Sequence, residues 1–172
     1  MLLWLIPFSI RICMGQIYTE NQETKIYNPT IDSIFQACSS GNTFQSFIMI
    51  FENNLLCCIL NILNGFLLGV GTTVNLAANG FLSADMFVSC NQTMPITDIL
   101  KTTMPHSFEM LGVWLSGGIG FMIAWRIKQL AFNNEVVNMK FVKKMCIYTG
   151  IVFLLILCAA FVEAYVSMNM LK

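Results

Sequence analysis

Three side chains in this sequence have the type and setting to do chemistry: His106, Glu109 and Glu163. His106 and Glu109 stand three positions apart, so a helix stacks them on one face, where they can hydrogen-bond or ion-pair. Glu163 is the one charge between residue 145 and the terminal Lys172, in a run otherwise apolar enough to be a membrane helix. A charge in such a setting is costly to desolvate and is a functional hypothesis by default. A metal centre is not expected, because a single His with one or two carboxylates is too thin a ligand set. The seven cysteines include no C-x-x-C pair. There is no H-E-x-x-H, no G-x-S-x-G and no second His, so no catalytic residue and no cofactor are expected. Three roles remain for the cluster: a structural brace, a proton or ion relay, or a contact site for a partner or peptide. Asn53 and Asn54 are expected to add their amides to it.

These side chains must be held by membrane helices. Only 10% of the 172 residues are charged, 56% are hydrophobic and mean hydropathy is +0.70. A soluble globule carries roughly a quarter charged residues. Net charge is zero, which gives no case for nucleic-acid binding. His106 and Glu109 sit at the head of residues 104–126, a stretch long and apolar enough to cross a bilayer. Along it Gly112, Ser116, Gly120 and Ala124 recur every fourth position, a small-residue stripe that lets a second helix approach closely. Residues 53–84 hold no charge. As one helix they would run about 48 Å against a hydrocarbon core of about 30 Å. They are therefore expected to form two helices with a tight turn around residues 69–75. The first would align Asn54, Cys58, Asn61, Gly65, Gly69 and Thr72 on one face, with Gly65 and Gly69 as packing points; the second would align Asn75, Asn79 and Ser83. Such Asn residues serve either as inter-helix hydrogen-bond glue or as a polar track for a substrate. Residues 43–52 are expected to lie at the membrane interface before the chain turns inward, and residues 1–18 to form a short first span with a snorkelling Arg11.

The expected architecture is thus all-α: one integral membrane domain over residues 1–172, a polytopic bundle of about five helices. Residues 126–144 hold Arg126, Lys128, Lys140, Lys143 and Lys144, five of the nine basic residues, against Glu135 alone. That bias makes the segment a cytoplasmic loop. Lys140, Lys143 and Lys144, beside an apolar ridge of Phe132, Val136, Val137 and Phe141, could dock a cytosolic partner. Counting back puts residues 16–42 and 90–103 outside, the N-terminus inside and the C-terminus outside. Cys38 and Cys90 would then share the outer side and are candidates for a disulfide.

Several of these residues also resemble a known family in order and spacing. Asn53-Asn54 at the head of a Gly-rich stretch, Asn79-Gly80, Pro105-His106-Ser107-Phe108-Glu109, Leu115-Ser116-Gly117-Gly118 and Phe161-Val162-Glu163-Ala164 resemble stage II sporulation protein M. The resemblance covers roughly residues 44–167; Ser107 stands where relatives often have Gly, and the first helix departs most. It implies a non-enzymatic subunit of a bacterial plasma-membrane assembly that contacts lipid and other membrane subunits or copies of itself. The founding member is a scaffold for peptidoglycan hydrolases during forespore engulfment. Short relatives belong to bacteriocin gene clusters, in peptide export or producer immunity, often with an ABC-type ATPase. The shortness of this chain favours that second group by analogy. A proton-coupled transporter using Glu109, His106 and Glu163 is the alternative drawn from the charges alone.

Overall fold

The computed structural model describes residues 1–18, 42–93, 95–97, 106–133 and 138–167. Five long helices make up its body: α1 (Leu2–Tyr18), α2 (Thr43–Leu63), α3 (Val70–Thr93), α4 (His106–Asn133) and α5 (Met139–Val162). A 3-10 turn (Asn64–Leu67) follows α2, and a π-helical turn (Glu163–Ser167) closes α5. Three spans are long and apolar enough to cross a membrane: Thr43–Leu67, Ser107–Asn133 and Met139–Tyr165. Leu2–Gly15 is a shorter apolar helix. In α3 the length suffices, but Asn75, Asn79, Ser83 and Asp85 dilute the apolar character.

Local sequence explains where the helices start. Asn42 caps α2, its Oδ1 accepting from Gln45 N–H at 3.2 Å, and Asn138 caps α5 by accepting from Lys140 N–H at 2.9 Å. Each satisfies an amide that the first helical turn leaves without a partner. The break between α2 and α3 falls at residues 64–69, one turn earlier than the glycine spacing predicts. Leu68 (φ 56°) and Gly69 (φ 79°) are both left-handed there, and Gly69 supplies that conformation without a side-chain clash. Thr72 consequently belongs to α3, facing the residues with which it was expected to align.

Other boundaries also shift. Residues 43–52 are not an interfacial prelude; they are the first half of α2, and Asn53 and Asn54 lie in its interior. No Pro or Gly interrupts that stretch, and Phe47 and Phe51 anchor it on α5 through Phe161, Tyr165 and Phe153. The segment 126–144 is mostly helix, since α4 continues to Asn133 and α5 begins at Met139. Gln16 to Tyr18 complete α1, and α3 runs on to Thr93. Cys38, the rest of 19–41 and the side chain of Cys90 lie outside the described residues.

Helix α4 is the hub, packing on α2, α3, α5 and the 3-10 turn, while α1 packs chiefly on α3. Contacts also set directions. Asn61 meets Ser116 and Gly65 meets Gly120, so α2 and α4 run parallel. Gly112 lies on Ile156, while Arg126 stacks over Phe141, so α4 and α5 are antiparallel. Trp4 lies on Gly80 and Gly15 on Val88, so α1 runs parallel to α3 along its second half. The core comprises Cys58, Leu76, Val113, Ile119, Met145, Val152 and Ile156.

Candidate functional site

The closest helix contacts are made where side chains are smallest. A Cβ on Gly120 would collide with the carbonyl oxygen of Asn61, and one on Gly65 with the carbonyl of Gly120. A Cβ on Gly112 would stand 2.6 Å from Ile156 Cδ1. Ser116 and Ala124 are buried on the same stripe, and Gly69 fits against Phe121 and Ala124. Backbone approach of this kind gains dispersion energy that bulkier residues forfeit, and dispersion is what holds helices together in lipid.

Beside this seam lies a chain of amides. Asn61, fully buried, donates from Nδ2 to Ser116 Oγ (3.0 Å) and to the Val113 carbonyl (3.3 Å). Its Oδ1 accepts from Asn75 Nδ2 (2.8 Å), and its carbonyl accepts from Thr72 Oγ1 (2.8 Å). Asn75 also donates to the Cys57 carbonyl (3.1 Å), Asn79 donates to the Asn75 carbonyl (2.8 Å), and Ser83 donates to the Asn79 carbonyl (2.7 Å). Three helices are thereby tied by groups that satisfy one another, which is what a buried polar network needs to stabilise.

The carboxylates stand toward one end. Glu109 is 7% exposed, and Glu163 is half-buried in the π turn, a local geometry often found at functional sites. One oxygen of each, Oε1 of Glu109 and Oε2 of Glu163, is sealed from solvent. Counting two helical turns back from the Asn61–Ser116 contact along parallel α2 and α4 brings Asn54 level with Glu109. Asn54 is half-buried and Asn53 faces outward, so only the former is placed to extend a buried cluster. Glu163 lies two turns beyond Ile156, which packs on Gly112, and so stands about one turn from the level of Glu109. The side chain of His106 lies outside the described residues, although its backbone opens α4. Lys140, Lys143 and Lys144 are exposed on the first turns of α5, at the opposite end.

An ion pair that the sequence reading passed over joins the carboxylate layer. Arg11 of α1 donates from Nε to Asp85 Oδ1 (2.8 Å), its Nη2 contacts the same oxygen, and the guanidinium lies 5.8 Å from the Phe81 ring centroid. Counting nine residues from the Leu76–Gly117 contact on antiparallel α3 and α4 sets Asp85 near the level of Glu109. The signal was present: Arg11 is the single charge of α1, and Asp85 the single charge of α3. Two lone opposite charges on apolar helices are natural partners.

The fold and this site define a polytopic helical membrane bundle with a close-packed small-residue core and a layer of acids at one end. Stage II sporulation protein M matches residues 4–168, and the chain belongs to that family. It is similar to an uncharacterized protein of Methanocaldococcus jannaschii, 26% identical over 170 residues that cover 96% of this chain and 92% of the relative. No solved structure matches.

Proposed function

We propose that the chain is a non-enzymatic membrane subunit of a larger assembly, working in peptide export or producer immunity together with an ABC-type ATPase. The observation that carries the subunit role is the closed amide network on Asn61. Its donors and acceptors are spent between helices, as suits a rigid packing module and not a polar track for a moving substrate. Buried Glu109, with Glu163 about one turn from its level along the bundle, is then the contact site for a membrane partner or peptide, and exposed Lys140, Lys143 and Lys144 face the cytosolic ATPase.

Mild-detergent purification from the native host, followed by identification of co-purifying proteins, tests the assignment. An ATPase is the expected companion; a cell-wall hydrolase would replace this reading with the scaffold role. Glu109→Gln and Glu163→Gln are each expected to impair the function while inserting normally. Full activity of both variants at wild-type expression would remove the carboxylates from the site. Proton movement by the purified chain alone in sealed vesicles would replace the subunit role with transport.

A further inference from the structure

At the end of the bundle away from the carboxylates, a cleft of about 360 Å³ lies along α4, with Phe141 of α5 on its other side. Arg126 lies seventeen residues beyond Glu109 along α4, about 25 Å at the helical rise. Three walls of the cleft are apolar or aromatic: Phe121 and Met122, Trp125, and Phe141 from the facing helix. Arg126 and Gln129 supply the polar part. Arg126 Nη1 donates to Gln129 Oε1 at 3.0 Å, and its guanidinium stands 6.0 Å from the Phe141 ring centroid. A further cation lies close by, Lys128 at 5.4 Å from the Trp125 ring.

This combination selects its ligand by chemistry. Greasy walls reject a free inorganic anion, which would lose its hydration for nothing. A guanidinium favours a headgroup with net negative charge over a zwitterion, whose phosphate charge is offset by its own ammonium. Trp125 is 61% exposed, eighteen residues into the Ser107–Asn133 span, and about 20 residues cross the hydrocarbon core, which brings the ring to the depth where amphipathic aromatics settle. Basic clefts between membrane helices are suited to anionic lipid headgroups. We propose that this cleft binds an anionic phospholipid, with the phosphate at Arg126 and Gln129 and an acyl chain along Phe121, Met122 and Phe141. The inference stands apart from the proposed export or immunity role and survives its failure.

The test uses the full chain in mild detergent, titrated with phosphatidylglycerol, with phosphatidylcholine of the same acyl chains, or with inorganic phosphate. Retained lipid is counted by native mass spectrometry, and thermal stability is read in parallel. Phosphatidylglycerol is expected to be retained over phosphatidylcholine and to raise the melting temperature, while inorganic phosphate does neither. Arg126→Gln should cut the preference roughly fivefold, the equivalent of about 1 kcal/mol for a cation beside an anionic headgroup. Trp125→Ala, at an exposed position where folding is not at stake, should weaken retention of both lipids. Lys143→Gln, outside the cleft, should leave the preference unchanged. Equal retention of the two lipids, stabilisation by phosphate alone, or an equal loss in the Lys143 variant would overturn the proposal.

Discussion

Asn61 is the side chain on which the buried polar chemistry converges. Its amide reaches α4 and α3 at once, and each bond of this kind in lipid is worth about 1 kcal/mol or less. Trp114 presents the opposite case. Its Nε1 is sealed from solvent with no hydrogen-bond partner among the described residues, while its ring meets Trp4 edge-on at 5.7 Å. An unpaired buried donor costs about 1–3 kcal/mol, which the burial of the ring must outweigh. Trp114→Phe removes the donor and keeps an aromatic ring against Trp4. Its thermal unfolding midpoint is therefore expected within a few degrees of wild type, where a well-satisfied Trp would lose far more. A fall of ten degrees or more in a detergent melt would show that the indole N–H is stabilising.

Helix α1 depends on its partner more than on its own sequence. Pro7 sits inside it, Arg11 interrupts its apolar run, and it accompanies only the second half of α3. What seats it is the close approach of Trp4 to Gly80 and the Arg11–Asp85 pair, whose side chains are 17% and 18% exposed. Breaking a fully buried pair by neutralising one member leaves the other charge stranded, at a cost of about 3–5 kcal/mol, and solvent access lowers that figure for this pair. Asp85→Asn is accordingly expected to loosen α1, seen as faster proteolysis of the first helix and a lower melting midpoint. The reciprocal swap, Arg11→Asp with Asp85→Arg, should recover most of the loss. Equal damage from the swap would mean that the packing around the pair, and not its charge, holds the helix.

At the level of the whole molecule, Gly120 is the point through which α2, α3 and α4 are coupled, since its Cα faces both the Asn61 carbonyl and Thr72 Oγ1. Gly120→Leu inserts bulk where backbones meet, and a cost of several kcal/mol is expected from overpacking against atoms that cannot yield. Unaltered melting and assembly of that variant would contradict the packing described. Helix directions alternate from α1 to α5, so one labelled position orients them all. A single cysteine at Asn133, in a background lacking the native cysteines, should stay unlabelled by a membrane-impermeant maleimide in intact cells. Labelling from outside would reverse the expected orientation and put the basic cleft in the outer leaflet.

The all-α class and the number of long helices among the described residues were legible from composition and from the lengths of the apolar runs, because both follow from local backbone geometry and the solvation cost of charge. So was the isolation of Glu109 and Glu163, since a charge in an apolar run stands out without any knowledge of its neighbours. The helix boundaries around residues 43–52 and 64–69 were not, because aromatic contacts with α5 and a left-handed pair at Leu68 and Gly69 placed them. Nor was the partnership of Arg11 with Asp85, or of Asn61 with Asn75 and Ser116. Periodicity tells which residues share a face of one helix; which faces meet depends on helix directions, heights and crossings that arise only when all five pack together.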